Sequence, residues 1–585
     1  MGDYALIGDC HSAALVSRCG SIDWCCLPRF DSGSAFGRLL DWDRGGHCAV
    51  TPTGSLESQR EYLDDTLVLR TRFTGEGEAR LTDCFTLQTD EREIVRVIEG
   101  VRGAVEFEVR VAPVFDYGGV RPWIRRHGER LYSATGGDDG LLIWCERELE
   151  TEDAHALAAT ITVAAGETVR LTLRYCRPEA IAEHAGAEPD GDQIDERVQQ
   201  SIARWREWSS TIEVDGPARQ SGIVLKALTY EPTGAVVAAP TTSLPEAMDG
   251  DRNWDYRFAW VRDSSFSSRA FAAIGCVNEA DAFRGFIIRS AAGHAEDLRI
   301  VYGLGGERRI GTQVVEELEG YRGHGPVRVG NGASGQRQLD AFGELVNLTW
   351  RWHRRGHSPD DDHWRFLLSL IDRAVETWEE PDCGIWEWPG KPQHFVHSKV
   401  LCWAAIDRGL RLAEECMRQA PTRRWKQARE ELREAIDSRG YDSKRGIYVQ
   451  AFDHRELDAS LLLLPTVEYI EWNDERMLRT IAAIRAELDA DGLLYRYRRD
   501  DGLRGHEGAF LCCSFWLAEA LAQTGDVDEA RLAFDRTVAC ANDVGLFSEE
   551  FDPSRGEARG NFPQALTHLA HIDAAVAIQE AISRS

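Results

Sequence analysis

Lysine is nearly absent from this chain, and so are long uncharged apolar runs. Only five of its 68 basic residues are lysines, and 97 acidic residues outnumber them to give a formal net charge of −29. Nucleic acids and anionic membrane surfaces would repel such a chain, so we expect neither as a partner. An acidic composition with few lysines is typical of proteins from a salty cytoplasm, but a GC-rich genome would also favour arginine over lysine. The composition therefore leaves both origins open.

Targeting and metal-binding signals are also missing. Residues 1–9 have no basic region followed by an apolar run, and no segment is apolar over a bilayer's length, so we expect a cytoplasmic protein. The fifteen cysteines form no Cys-x-x-Cys pair, which disfavours a zinc site. We therefore expect no metal and no other cofactor. The sequence leaves the oligomeric state open, with a homo-oligomer among the possibilities.

Residues 1–185 have the alternating pattern of β-strands. Apolar and polar side chains alternate at 66–73, 94–101, 105–114, 141–147 and 168–175. Because no helical pattern separates these runs, we predict an N-terminal antiparallel β-sandwich. A charged helical pattern at 190–208 predicts a linker helix within 186–216.

Residues 217–585 have an almost purely helical periodicity. Twelve helices are predicted, at 218–235, 263–275, 277–293, 335–355, 359–379, 396–417, 421–438, 457–470, 473–488, 508–523, 526–542 and 561–581. Long and short connections alternate between them. Six hairpins whose long connections lie at one end describe an (α/α)6 barrel, and long loops on one rim of a rigid scaffold are where a site is built.

The first long connection, 236–262, leads into a stretch that mixes aromatic and charged residues. Its aromatic residues and the charged pair that follows them are Trp254, Tyr256, Trp260, Arg262 and Asp263. Aromatic faces cover the apolar C–H surface of a pyranose, and charged groups bind its hydroxyls. The stretch therefore predicts a sugar site, against the alternative of an aromatic packing joint before a helix.

Two other long connections carry carboxylates in apolar settings. Glu387 stands between Trp386 and Trp388, and apolar walls raise a carboxyl pKa, which suits a general acid. Glu549 is one of three crowded carboxylates with apolar residues on both sides, which favours one of them facing inward. Surface turns are the alternative for both. Two carboxylates on one rim form a glycosidase pair.

Motifs along nearly the whole chain resemble glycoside hydrolase family 15, whose bacterial and archaeal branch includes trehalases, glucoamylases and isomaltose-cleaving glucohydrolases. They are YALIGDCHSAALVSRCGSIDWCCLPRFDS, NWDYRFAWVRDSSF, GIWEW, FVHSKVLCWAAIDRG, EGAFLCCSFWL and LFSEEFDP…GNFPQALTH. The resemblance implies an inverting mechanism with Glu387 as general acid and Glu549 as general base. It also implies that Arg262 and Asp263 hold the terminal glucose and that Arg496 binds substrate.

The function that we expect is exo-acting hydrolysis of small α-glucosides, with β-glucose released from the non-reducing end. Trehalose is the best single substrate, because the N-terminal motif most resembles trehalase-type members. An isomaltose-type or maltose-type glucohydrolase or a glucoamylase is the alternative within the family. Two other classes, a glycoside phosphorylase and a non-catalytic sugar-binding protein, are disfavoured by the presence of both Glu387 and Glu549.

The N-terminal loop 28–37 is the one part of the sandwich that we predict to approach the site. Polar and turn residues are dense in it, which a plain strand would not need. We predict that this loop leans over the barrel rim and shapes the pocket; the alternative is a loop that only caps its own sheet.

Overall fold

Two eight-stranded antiparallel sheets form the N-terminal part of the computed structural model, which describes residues 1–87, 91–186 and 188–584. One sheet has the order β1-β2-β3-β5-β10-β15-β14 with β4 on β3, and the other has the order β11-β12-β13-β16-β9-β8-β7-β6. The strands are β1 (Tyr4–Gly8), β2 (Ala13–Ser17), β3 (Ser21–Cys26), β4 (Ser34–Phe36), β5 (His47–Pro52), β6 (Glu57–Tyr62), β7 (Leu69–Thr74), β8 (Glu78–Phe85), β9 (Glu93–Arg102), β10 (Ala104–Ala112), β11 (Trp123–Arg126), β12 (Leu131–Gly136), β13 (Asp139–Cys145), β14 (Glu150–Glu152), β15 (Ala156–Ala164) and β16 (Thr168–Tyr175).

Side-chain alternation explains how these strands build a core. Along β10, Val105, Phe107, Val109 and Val111 are buried while the residues between them face outward. A period of two places all four apolar side chains on one face, which packs against the other sheet. The predicted antiparallel sandwich is confirmed.

The helices that follow are α1 (Ile181–His184), α2 (Gly191–Ser209), α3 (Pro217–Ala227), α4 (Val261–Ala273), α5 (Val277–Ala291), α6 (Asp340–Arg354), α7 (Asp361–Thr377), α8 (Val396–Glu415), α9 (Thr422–Arg439), α10 (Glu475–Glu487), α11 (Leu511–Gln523), α12 (Val527–Val538) and α13 (Ala565–Arg584). A 3-10 helix, Ala459–Val467, lies between α9 and α10. Helix α2 connects the two parts of the chain, and its N-cap Asp190 accepts a hydrogen bond from the Asp192 amide.

An inner ring is formed by α4, α6, α8, the 3-10 helix, α11 and α13, each packing on the next and α13 closing on α4. Helices α6, α8 and α11 are buried on nearly all sides, as expected of helices enclosed by an outer layer. The outer helices α3, α5, α7, α9, α10 and α12 alternate with them along the chain. The predicted (α/α)6 barrel is confirmed, and each of the twelve predicted helical segments contains a helix.

Two predicted helices differ in detail from the structure. The segment predicted at 457–470 is a 3-10 helix, and Pro465 inside it lacks the N–H that an α-helical bond needs. The helix predicted at 218–235 ends at Ala227, because Thr229–Tyr230 pairs with Ala235–Val236 in a short hairpin. The apolar residues of the hairpin continue the apolar pattern of the helix, so the sequence alone did not show where the helix ends.

The sandwich packs directly on the barrel through buried hydrogen bonds. The Trp24 indole donates to the Pro240 carbonyl at 2.8 Å, and the Arg257 guanidinium donates to the Ser32 carbonyl at 2.9 Å. Arg60, in β6, forms a salt bridge of 2.8 Å with Asp543, which lies in the sixth long connection, between α12 and α13. Within the three described ranges, no helix combines the length and apolar character needed to cross a bilayer.

Candidate active site

A cavity opens at the N-terminal ends of the inner helices, where the long connections meet. Arg262 is the second residue of α4, and Gln564 directly precedes α13. The side chains that line the cavity include Glu246, Trp254, Tyr256, Trp260, Arg262, Trp386, Glu387, Arg496, Tyr497, Glu549 and Gln564. The structure therefore brings together eight of the ten predicted site residues.

Glu387 has a backbone conformation that is rare for its residue type. Its φ is +57°, in the left-handed region where a side chain other than glycine is strained. The Trp260 indole donates to its Oε1 at 2.7 Å, and the Arg262 Nη1 lies 3.5 Å from the same oxygen. Two neighbouring side chains thus fix the position of one carboxyl group in the cavity wall.

Burial raises the pKa of Glu387, while Arg262 and the Trp260 hydrogen bond oppose the rise. The prediction ascribed the shift to the two flanking tryptophans, but the structure separates them. Trp386 lines the cavity, whereas Trp388 does not line it and packs 5.4 Å from Tyr497 and 6.0 Å from Phe395. A raised pKa is the property that a general acid requires.

Glu549 reaches the cavity from the sixth long connection and is 2% exposed. Its Oε1 accepts hydrogen bonds from the Tyr256 hydroxyl at 2.8 Å and from the Gln564 amide at 3.4 Å. Its Oε2 is buried without a partner among the described residues. Burial, reinforced by Glu507, raises the pKa of Glu549 to about 7 against the opposing effects of Tyr256 and Arg496. One carboxylate oxygen is thus held in place, and the other has no hydrogen bond from the described residues.

The Arg262–Asp263 pair is split between the cavity and its wall. Arg262 lines the cavity, and its Nη1 donates to the Ile385 carbonyl at 2.9 Å. Asp263 is absent from the lining; it is buried, and its Oδ1 accepts from the Arg262 Nε at 2.9 Å. In the structure, Asp263 therefore orients Arg262. A direct contact between Asp263 and glucose stays a prediction.

Aromatic rings form much of the cavity wall. Trp254, Tyr256, Trp260 and Trp386 all line it, as predicted, and the predicted Trp388 does not. Trp386 is fixed by donating its indole N–H to Asp458 at 2.9 Å. These rings provide the apolar faces that a pyranose ring packs on.

Other charged residues of the aromatic stretch serve the structure instead of the cavity. Asp255 and Arg257 form a fully buried pair at 2.6 Å, and Arg257 also binds the N-terminal loop through Ser32. Arg252 pairs with Asp501 at 2.7 Å and with Glu507 at 2.5 Å. No residue of the fully described loop 28–37 lines the cavity, because the loop packs behind its wall.

Sequence reasoning missed an inner group of carboxylates. Glu246 lines the cavity, and Glu507 and Glu550 stand behind it, with one oxygen of each of the three lying within 4.8 Å of the others. Glu550 is 0% exposed, accepts a hydrogen bond from the Gly508 amide at 2.7 Å and does not line the cavity. The apolar neighbours of Glu246 in Leu-Pro-Glu-Ala were the available signal.

Arg496 compensates the charge of this group. Its Nε donates to Glu507 at 2.9 Å, its Nη2 lies 3.9 Å from Glu246, and its guanidinium stands 5.7 Å from the Trp386 ring. Burial raises the pKa of Glu246 and of Glu550 well above the ordinary range. Three carboxylates can hold a divalent cation, but a cation requires ionised ligands. Arginines already neutralise Glu507, and the raised pKa values of Glu246 and Glu550 disfavour their ionised forms.

The chain is similar to known proteins along nearly its whole length. The model of glycosyl hydrolases family 15 matches residues 219–576, and that of a trehalase-like N-terminal domain matches residues 2–199. A trehalase of Mycolicibacterium smegmatis is 37% identical over 98% of this chain and 91% of its own length. A trehalase of Thermoplasma volcanium is 33% identical over 99% and 93%. A bacterial glucoamylase solved with acarbose has the same fold, with a TM-score of 0.75 over 99% of this chain and 94% of its own, at 12% identity.

Proposed function

The chain belongs to glycosyl hydrolase family 15 and is a glycoside hydrolase, and from that premise we propose that it cleaves trehalose by an inverting, exo-acting mechanism. The observation that carries the proposal is the meeting of Glu387 and Glu549, from two distant loops, in the wall of one aromatic cavity. The relatives named above, which are trehalases over nearly their full length, support trehalose as the substrate.

In the proposed mechanism, Glu387 gives its proton to the glycosidic oxygen as the bond from that oxygen to the anomeric carbon breaks. Glu549 takes a proton from a water molecule whose oxygen bonds to the opposite face of the anomeric carbon. One water is consumed, two glucose molecules leave, and the product formed at the attacked carbon is β-glucose. Arg262 and Arg496 bind sugar hydroxyls, and the rings of Trp254 and Trp260 pack on the sugar.

The surroundings of Glu549 support hydrolysis over phosphorolysis. A phosphorylase needs no base, whereas here Tyr256 and Gln564 hold one carboxylate oxygen and leave the other free. We also propose a cytoplasmic location. All fifteen cysteines are unpaired, which fits a reducing compartment.

Product analysis tests both substrate and reaction. Purified enzyme is incubated with trehalose, isomaltose, maltose and dextrins, with and without phosphate. We expect the largest kcat/KM on trehalose and free glucose as the product in both buffers. Faster release from isomaltose or maltose would overturn the substrate, and glucose 1-phosphate would overturn hydrolysis.

The anomer tests the assignment of Glu549 independently of the substrate. Proton NMR over the first minutes of hydrolysis should show β-glucose in excess of the share that mutarotation alone produces. If every newly formed glucose is the α-anomer, Glu549 does not activate water and the inverting mechanism is wrong.

A further inference from the structure

A second cavity lies between the N-terminal sandwich and the barrel, and its described lining has no residue in common with that of the candidate active site. Its volume is about 840 Å³. Small-molecule sites have volumes of roughly 300–1,000 Å³ and occur preferentially at domain interfaces. The sandwich forms most of the wall, and residues 319–322, in the connection between α5 and α6, form the barrel side. The cavity therefore has the size and the position of a ligand site.

The outer face of the first sheet forms the floor of this cavity. Ala49 and Thr51 of β5 and Glu108 and Arg110 of β10 all line it. The two strands pair so that Glu108 lies opposite Thr51 and Arg110 lies opposite Ala49. Because side chains alternate along a strand, these four lie on the face opposite the buried Val109. The sandwich core does not use them, and they are turned towards the cavity.

Trp42 gives the cavity a large exposed ring. It lies in the loop between β4 and β5, lines the cavity and is 61% exposed. Hydrogen bonds fix this loop to both parts of the protein: the Asp41 Oδ1 accepts from the Arg44 amide at 2.9 Å, and the Arg44 Nη1 donates to the Glu317 carbonyl at 2.8 Å. The Arg38 guanidinium lies 4.6 Å from the centre of the Trp42 ring. The ring is thus presented at a defined place in the cavity wall.

The positive charges of the lining are already compensated. Burial lowers the pKa of His47 to about 3 and that of the Met1 amino group to about 6, so both are mostly uncharged at pH 7. Each of the four lining arginines has a carboxylate partner within 4 Å, in the pairs Arg18–Asp3, Arg38–Asp23, Arg110–Glu152 and Arg322–Glu557. An anion would therefore find no unpaired cation in this cavity.

The carboxylates of the lining suit hydroxyl donors better than a metal ion. Glu108 and Glu319 line the cavity, and neither side chain has a hydrogen bond or an ion pair with another described residue. Within the described ranges, no group of three potential metal ligands lies in this cavity. A carboxylate without a partner accepts a strong hydrogen bond from a hydroxyl group. The lining therefore favours a neutral ligand that carries hydroxyl groups.

We propose that this cavity binds a neutral saccharide, with Trp42 packing on a sugar ring and Glu108 accepting hydrogen bonds from its hydroxyls. An exposed tryptophan on its own needs no explanation, because single apolar side chains are common on protein surfaces. Here the ring shares one cavity with an unpaired acceptor and compensated charges, which is the combination that a pyranose requires. The site is separate from the catalytic cavity, so the proposal does not depend on which glucoside is hydrolysed.

The test follows the ring of Trp42 by fluorine NMR. The full chain is labelled with 5-fluorotryptophan, and the resonance of Trp42 is identified among those of the eighteen tryptophans by its loss in Trp42→Ala. Glucose, trehalose and maltotriose are titrated in a Glu387→Gln background, so that substrate is not consumed. We expect a saturable shift of the Trp42 resonance at millimolar concentration of at least one sugar. Glucose 6-phosphate should bind no more tightly than glucose, because the cavity offers no unpaired cation.

Trp123 is the reference ring for this titration. It is 59% exposed on the same domain and does not line the cavity, so its resonance should not shift. The proposal is overturned if Trp42 responds to none of the three sugars, if Trp123 responds equally, or if glucose 6-phosphate binds more tightly than glucose. A Trp42 shift that follows protein concentration and not sugar would identify a contact between copies of the chain and would also overturn it.

Variants of β10 test the role of Glu108. Glu108→Ala should weaken the binding measured on Trp42 by about tenfold, as expected for the loss of a hydrogen bond to a charged group. Glu106→Ala removes an exposed carboxylate from the same face of β10 but outside the cavity lining, and it is the matched control with unchanged affinity. Thermal unfolding of each variant controls for folding. Equal affinities of the two variants would contradict the proposed contact with Glu108.

Discussion

Glu387 shows at the scale of one residue how the fold prepares a general acid. Its strained backbone, the Trp260 hydrogen bond and the nearby Arg262 all act on a single carboxyl group. Strain of this kind persists only where surrounding contacts over-determine it, which is the usual situation in an active site. Replacing the group without changing its shape therefore isolates its chemistry.

We expect Glu387→Gln to lower kcat/KM on trehalose by about 10²-fold or more, the size of a general-acid contribution. Glucosyl fluoride, whose leaving group needs less protonation, should lose less. Steady-state kinetics on both substrates make the comparison, with an unchanged Tm as the control for folding. Equal losses on the two substrates would contradict the acid role.

From the neighbours of Glu549 we predict that two substitutions shift the acid limb of the pH–activity profile in opposite directions. Glu549 acts as a base only when deprotonated, and burial raises its pKa to about 7, so activity should fall as the pH drops through that region. Tyr256 lowers this pKa through its hydrogen bond, and Glu507 raises it through its charge. Tyr256→Phe should therefore move the acid limb of kcat/KM to higher pH, and Glu507→Gln should move it to lower pH.

The pH profiles of wild type and both variants measure these shifts. The limb reports the apparent pKa of a coupled group of carboxylates, so the direction of each shift is the decisive quantity. A structural defect alone would lower the whole profile without moving its limb. Shifts in the same direction for both variants would contradict Glu549 as the titrating base.

At the scale of elements, the N-terminal loop 28–37 joins the two halves of the protein. Phe30 is 1% exposed, Arg29 pairs with Asp31 at 2.8 Å, and the Ser32 carbonyl accepts from Arg257. The loop contacts the barrel behind the cavity wall, whereas we predicted that it leans over the rim and shapes the pocket. These contacts favour a structural role for the loop.

We expect Phe30→Ala to cost about 3–5 kcal/mol, as truncation of a buried phenylalanine does, and to leave the ratio of trehalose to isomaltose hydrolysis unchanged. Thermal unfolding and competition between the two substrates give the two readings. Asp31→Ala, which changes a partly buried side chain of the same loop, is expected to cost less stability. A changed substrate ratio at unchanged Tm would restore the original prediction.

Surface charge is the property that matters at the scale of the whole molecule. A net charge of −29 makes the folded chain repel itself, and screening by salt weakens repulsion between exposed charges. We expect Tm to rise as KCl increases from about 0.01 M towards about 0.5 M, because the Debye length falls from about 30 Å to below about 10 Å over that range.

Thermal unfolding in KCl measures this, with a sucrose series as a control for general solute effects. A Tm that falls over the same range would mean that the many surface ion pairs outweigh the net repulsion. A continued rise in molar salt would favour adaptation to a salty cytoplasm, one of the two origins considered for the composition.

Local sequence determined which elements form and where the chemistry lies. Alternation with a period of two predicted the sandwich strands, and helical periodicity with alternating loop lengths predicted twelve helices in a closed ring. Glu387 was also visible between its two tryptophans, whereas Glu549 was one of three crowded carboxylates and was singled out by the family resemblance.

Tertiary structure alone decided which side chains face the cavity. Trp386 and Trp388 are two residues apart, yet one lines the cavity and the other packs on Tyr497 and Phe395. Tyr256 meets Glu549 across 293 residues of chain. Side-chain direction in irregular loops depends on contacts with distant segments of the chain. The local sequence cannot predict those contacts, because the segments meet only when the barrel closes.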